Sequence, residues 1–283
     1  MKLLAEISAA AGQEVTDVEP LGGGCVSAVY RVGLRDGSTL VAKIDEDGAA
    51  GLPTEARMLR YLVDHTALPV PDVSFSSDRL LLTSFIPGES YFTVDAERHA
   101  AELLAALHDH TSPTYGFEWD TLIGGLRQPN PPTASWLEFF AEHRLNHMAA
   151  EASRAGRLPA GVAARVEKLC VRLDEFLPEP DRPSLIHGDV WTTNVLAEND
   201  HVTGFIDPAI YFAHNEIELA FTTLFGTFGR AFFDHYHEIR PIAPGFFQQR
   251  RDLYNLYPLL VHVRLFGGSY VSSVSGALER FGF

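Results

Sequence analysis

One short stretch limits this chain more than any other: Leu185-Ile-His187-Gly-Asp189-Val-Trp191-Thr-Thr-Asn194-Val-Leu196, followed by Gly204-Phe-Ile-Asp207-Pro-Ala209. An acidic residue follows a His-Gly pair, an amide stands five positions later, and a second acidic residue comes thirteen beyond that. A lone carboxylate beside an amide and a second carboxylate supplies a proton acceptor and two hard oxygen ligands of the kind magnesium prefers. Such groups are useful only if two neighbouring loops bring them to one small volume. Asp189 is therefore the candidate base, and Asn194 with Asp207 the candidate metal clamp.

The chain has 283 residues, 46% of them hydrophobic, enough to build one large domain or two lobes around a packed core. Lys and Arg total 22 against 37 Asp and Glu, a formal charge of -15, which repels phosphate backbones and anionic membranes. Nucleic acid and membrane are therefore not expected partners. Two cysteines, Cys25 and Cys170, are too few to staple a chain of this length and suit a reducing cytoplasm. Glu6 breaks the apolar run that follows Lys2, so no signal peptide is expected, and no later stretch has the ~18 apolar residues of a membrane span.

Read in order, residues 3–11 form a short helix. Leu21-Gly22-Gly23-Gly24-Cys25, followed by alternating apolar residues, reads as a strand-turn-strand hairpin whose glycines let backbone amides approach phosphates, although such a hairpin is by itself an ordinary turn. Thr39 to Ile44 is a strand carrying Lys43, and Pro53 to Leu62 a helix carrying Glu55. A strand Lys that grips α- and β-phosphates and is steadied by a helix Glu is the arrangement of phosphoryl-transfer enzymes, and the base, Asn and later Asp complete it. The His-Gly-Asp and Asp-Pro-Ala forms point away from protein kinases and toward kinases of small molecules. An acidic chain that binds ATP needs Mg2+ to offset its own field, and the clamp supplies the ligands.

A hairpin from Val73 to Thr83 leads to Thr83-Ser84-Phe85-Ile86, candidate nucleotide-binding residues, after which Pro87-Gly88-Glu89 reads as a linker where adenine can meet exposed backbone groups. The lobe boundary is placed here, with a nucleotide lobe over 1–86, a hinge near 83–88 and a catalytic and substrate lobe over 87–283. Helical patterns cover Ala96–His108, Trp136–Ala152 and Gly161–Phe176, and the Pro113–Pro132 segment reads as a long surface loop. His143 and His147 have metal-ligand spacing but no third ligand; His187 reads as a scaffold residue of its loop. Cys25 is either a small residue in a tight hairpin or an exposed thiol able to link two chains, giving a monomer or a Cys25-linked dimer.

Taken together these segments resemble the fructosamine kinase (ketosamine 3-kinase) family, which is related to the aminoglycoside phosphotransferases. The resemblance rests on Gly22-Gly23-Gly24, Lys43, Glu55, Gln128-Pro-Asn130, Trp136, His187 through Asn194, Asp207-Pro-Ala209, Glu216 and the closing His262 with Leu265-Phe-Gly-Gly268. It implies an α+β, two-lobed protein-kinase-like fold: a small antiparallel-sheet N-lobe with one helix, and a larger, mainly helical C-lobe. It also implies ATP-dependent phosphorylation of the C3 hydroxyl of fructosamine or ribulosamine adducts on lysine or free amines, with deglycation as the result. Glu216 and His262 then become substrate-side candidates, with Trp191 as an aromatic wall for the sugar or its amine, or else a packed structural side chain. The alternatives are an aminoglycoside, choline-like or other sugar phosphotransferase, and a nucleotide-binding module without catalysis.

Overall fold

The computed structural model describes residues 2–22, 27–47 and 50–283. Gly23, Gly24 and Cys25 lie outside the described residues. The chain begins with α1 (Lys2–Ala11) and enters a five-stranded antiparallel sheet made of β1 (Val15–Pro20), β2 (Ala28–Leu34), β3 (Thr39–Ile44), β4 (Val73–Ser76) and β5 (Leu80–Ser84), in the order β1-β2-β3-β5-β4. Between β3 and β4 lies α2 (Leu52–His65). Leu80, Leu81, Leu82 and Thr83 are all buried, because β5 is covered on both faces. Leu80 and Leu82 meet Ile7, Val32, Leu34 and Ala42 on one side, and Leu81 meets Leu52 and Ala56 of α2 on the other. The sheet thus carries the two helices that the sequence places in this half, because each hydrophobic face needs its own cover.

Helix α2 starts with Gly51 in a left-handed conformation, Pro53 in its first turn and Glu55 where the helix dipole favours an anion. Its apolar residues face two ways: Leu52 and Ala56 meet the sheet, while Met58 and Leu62 join the large core of the C-terminal half. That core is built from α3 (Val94–His108), the hairpin β6 (Thr121–Ile123) and β7 (Leu126–Gln128), α4 (Trp136–Phe140), α5 (His147–Arg154), α6 (Ala160–Val171) and the later elements. Two short antiparallel pairs frame the loops named above: β8 (Ser184–Ile186) with β11 (Tyr211–Ala213), and β9 (Val195–Glu198) with β10 (His201–Phe205). The chain closes with α7 (Glu216–Leu224), α8 (Arg230–Ile239), α9 (Arg251–Tyr254), α10 (Leu256–Phe266) and α11 (Ser269–Arg280). Among the described residues no helix is long and apolar enough to cross a membrane.

Two expectations change. The Pro113–Pro132 segment is not a surface loop: Tyr115, Phe117, Thr121, Ile123, Gln128 and Asn130 are buried. Its Gly124-Gly125 pair, both at positive φ (53° and 76°), closes a two-residue hairpin of the type that matches strand twist. The Trp136–Ala152 helix is interrupted by a π-helical turn over Ala141–Asn146, and Arg144 on that turn is fully buried.

The segment after β5 is not a free linker either. Glu89 and Ala197 exchange both backbone hydrogen bonds at 2.9 Å, and Gly88, at φ 130°, leaves no room for a Cβ, which would sit 2.7 Å from the Ala197 carbonyl oxygen. Gly88→Ala should therefore lower the unfolding free energy by about 1–3 kcal/mol in urea titration, through backbone strain and that contact.

Candidate active site

Buried β8 runs straight into the His187-Gly188-Asp189 loop. Gly188 is at φ 86°, and a side chain there would collide with the Ala209 carbonyl, so the two functional loops lie against each other only because this position is glycine. The Ala209 amide donates to the His187 carbonyl at 2.7 Å, and the Ile206 amide to the Asn194 carbonyl at 2.9 Å. Asn194 ends a short 3-10 turn, is buried, and donates from Nδ2 to Asp189 Oδ2 at 2.8 Å and to the Asp189 carbonyl at 3.0 Å. Asp207 is held at φ 56°, a left-handed conformation that costs a non-glycine residue energy and persists only where its surroundings fix it.

Lys43 reaches this cluster from the sheet. Its Nζ lies 2.5 Å from Glu55 Oε1 and also bonds Asp207 Oδ1, so one ammonium joins a carboxylate from each half of the molecule. Burial alone would depress the Lys43 pKa, but Asp207 and Glu55 together hold it above the ordinary lysine value. Asp189 behaves oppositely: burial and the nearby Asp207 carboxylate push it up to about 8, against the Asn194 hydrogen bond that favours its charged form.

A cleft of about 180 Å³ opens over these groups. Lys43, Glu55, Asp189, Asn194 and Asp207 are in its lining. So are Leu122 to Gly125 of the β6–β7 hairpin, Trp191, and Val261, His262, Leu265 and Phe266 of α10. His262 Nδ1 lies 2.7 Å from the Pro258 carbonyl, which can only accept, so Nδ1 carries the proton. Burial lowers its pKa, and the neutral ring is left with Nε2 as a hydrogen-bond acceptor. The Trp191 ring is 5.4 Å from Phe225, which in turn is 5.1 Å from His262, linking the three rings into one aromatic cluster.

The family model described as fructosamine kinase matches residues 1–281. The chain belongs to the fructosamine kinase family. Among curated relatives of this fructosamine kinase family member, a probable ketoamine kinase of Synechocystis is 44% identical over 62% of this chain and 59% of its own length. The chloroplastic protein-ribulosamine 3-kinase of Arabidopsis thaliana is 29% identical over 95% of this chain and 83% of its own. A crystal structure of a proposed fructosamine-3-kinase from Thermobifida fusca superposes with a TM-score of 0.85 at 35% identity, covering 98% of both chains. The aminoglycoside phosphotransferase APH(4)-Ia shares the fold, with a TM-score of 0.67 at 18% identity over 99% of this chain and 97% of its own. The two-lobed α+β kinase-like fold expected from the sequence is the fold observed.

Within this fructosamine kinase family member, several expected residues fall elsewhere. Glu216 does not line the cleft: both carboxylate oxygens are held by Arg250, from Nε and Nη2 at 2.6 Å, in the buried core. The residue that reaches the His187–Asp189 loop is Glu218, one half-turn on. Its Oε1 accepts from the Gly188 amide at 2.6 Å, and its Oε2 accepts from the His187 amide at 3.2 Å and contacts His108 Nε2 at 2.9 Å. His108 Nδ1 is in turn 2.7 Å from the Tyr236 hydroxyl. Burial opposes the charge of Glu218, yet these donors keep its pKa below the ordinary value. The one sequence signal for it was a carboxylate inside the apolar run Ile217-Glu218-Leu219-Ala220-Phe221. His187 is buried, with Nδ1 accepting weakly from the Asp189 amide at 3.4 Å.

Thr83, Ser84, Phe85 and Ile86 contribute nothing to the lining of this cleft. Thr83 is buried, the Ser84 amide donates to Asp72 O at 2.8 Å and the Phe85 amide to Thr39 O at 3.4 Å, so these two hinge amides are engaged within the sheet rather than exposed. Ile86 packs its side chain onto Gly204 of β10. Of the glycine loop, Gly22 is in a turn.

Two outcomes follow from this geometry. Glu216→Ala strands the Arg250 guanidinium in the core, so unfolding free energy should fall by about 3–5 kcal/mol in denaturant titration, with acceptor KM changed less than about twofold per folded molecule. Asp189 has a folded pKa raised above its unfolded value, so ionising it costs stability progressively from about pH 4 to pH 8. Asp189→Asn should therefore raise the melting temperature in EDTA by at least about 2 °C at pH 8, and the gain should vanish near pH 4.

Proposed function

We propose that this protein phosphorylates the C3 hydroxyl of a ketosamine, a fructosamine or ribulosamine adduct on lysine or a free amine, with ATP as donor. The observation that carries the reading is that one cleft is lined both by the Lys43, Asp189, Asn194 and Asp207 cluster and by the aromatic rings of Trp191, His262 and Phe266. The names borne by the Synechocystis, Arabidopsis and Thermobifida relatives support this acceptor, and the AMP-PNP bound by the aminoglycoside enzyme of the same fold supports a nucleoside triphosphate donor. Residues 1–86 then form the nucleotide lobe.

The donor set fits magnesium. Asn194 turns its amide nitrogen to Asp189, directing Oδ1 the other way, and the Asp207 side chain is 44% exposed, so both present hard oxygens to the cleft. Bound there, Mg2+ would neutralise phosphate charge. Lys43, kept cationic by its two carboxylates, offers the phosphates a further positive charge, with Glu55 fixing its position. Asp189 is the group that accepts the acceptor's hydroxyl proton, and Asn194 orients its carboxylate. His262 Nε2 accepts from a sugar hydroxyl or the protonated amine, and the Trp191 ring covers the apolar face of the sugar. In the product, enolisation toward C1 expels the C3 phosphate with its electron pair, and hydrolysis of the resulting imine frees the amine, so phosphorylation leads to deglycation.

ATP turnover should be supported by fructosyl-lysine or ribulosyl-lysine, and not by an aminoglycoside or choline, in a coupled ADP assay. Turnover only with the latter compounds would refute the reading. Asp189→Asn should lose about 10²–10⁴-fold in kcat while still binding ATP with magnesium, and EDTA should abolish turnover.

A further inference from the structure

We propose that Gln128 is a positioning residue for the acceptor, tying the substrate wall of the cleft to the loops that perform phosphoryl transfer. Its side chain is completely buried, a costly place for a primary amide unless its polar atoms are paired. They are paired with three separate parts of the site. Nε2 donates to the Ala209 carbonyl at 3.0 Å and to Thr121 Oγ1 at 2.8 Å, and Oε1 accepts from the Tyr257 hydroxyl at 2.6 Å.

Each partner belongs to a segment that supplies one face of the cleft. Ala209 stands two residues after Asp207 and bonds the catalytic loop through His187. Thr121 begins the hairpin whose Leu122 to Gly125 form one acceptor wall, and Tyr257 stands one helical turn before Val261 and His262 of the other. The amide is therefore a three-way joint between both walls and the metal loop.

A second layer fixes the joint. Asn130 donates to Thr121 Oγ1 at 2.8 Å and accepts from Arg144 Nη2 at 2.6 Å. Arg144 is fully buried on the π-helical turn, its guanidinium 3.8 Å from the Tyr211 ring centre, and it donates to neutral acceptors, the Pro129 and His143 carbonyls and Asn130 Oδ1. A leucine at position 128 would fill the same space, so packing alone gives no reason for an amide. Neither Lys43 nor Glu55 bonds to this network directly, so the sheet-side anchor of the Lys43 ammonium, Glu55, lies outside it.

The test rests on the ketosamine kinase reading and uses the full chain. Gln128→Leu and Tyr257→Phe are compared with the native protein for kcat and KM, with fructosyl-lysine as acceptor, corrected for folded fraction by circular dichroism. The ratio of phosphorylated acceptor to ADP is followed by mass spectrometry. Gln128→Leu should lower kcat about 10–100-fold, since displacement of an acceptor by about 1 Å has effects of that size, with ATP KM within about twofold. The ratio should fall as water captures the phosphoryl group in place of a misplaced hydroxyl. Tyr257→Phe, which keeps the ring and the fold, should move both quantities the same way by less, and the double variant should match Gln128→Leu alone. Unchanged kcat and ratio per folded molecule, or a loss shared equally by ATP KM, would overturn the proposal. Failure of the native protein to act on any ketosamine would instead remove the acceptor reading, and the same ratio measured with whichever alcohol it phosphorylates would still decide the role of Gln128.

Discussion

The Lys43 ammonium, held between Glu55 and Asp207, is the interaction on which the rest of the site depends. It is mostly buried, and a buried cation is tolerable only when opposite charge and hydrogen bonds replace the water it has lost. Here the replacement comes from both halves of the molecule, so the sheet that bears Lys43, the helix that bears Glu55 and the loop that bears Asp207 must all be in place together. Asp189 stands beside this cluster with no cation of its own, which is why burial and Asp207 raise its pKa.

Holding three carboxylates and one amine at these distances requires rigid supports, and the supports are themselves polar. Glu218 fixes the two amides before Asp189 and leans on His108 and Tyr236, while Gln128 fixes the carbonyl two residues after Asp207. A hydrophobic residue under either loop would fill volume but could not set a backbone direction. Paired polar groups in a low-dielectric interior do set it, because leaving them unpaired is costly.

Helix α2 joins the two halves more firmly than a linker between lobes would. The Arg57 guanidinium lies 3.4 Å from the centre of the Trp119 ring, Tyr61 meets Phe117 and Trp119 edge-on, and a side chain at Gly51 would collide with Leu122. The hairpin that lines the cleft therefore also braces the helix that carries Glu55. The cluster around Lys43 and the hairpin that lines the same cleft thus share one scaffold.

Much of this was legible in the chain. Period-2 and period-3.6 patterns located the sheet strands and α2, and the spacing of Asp189, Asn194 and Asp207, with Lys43 twelve before Glu55, picked out five groups that the fold brings into one cleft, because each set is positioned by a short local segment. What the sequence left open was which buried polar atom meets which. Glu216 and Glu218 sit two apart on one helix, so they face different directions: the first meets Arg250, the second the catalytic loop. Gln128 stands in a segment that its Pro and Gly content made look like a surface loop, and its partners lie 7, 81 and 129 residues away. Local spacing determined the chemistry available to this protein. Only the tertiary structure decided how that chemistry is aimed, because a buried hydrogen-bonding group is paired by whatever the folded core brings within about 3 Å, and that distance has no counterpart along the chain.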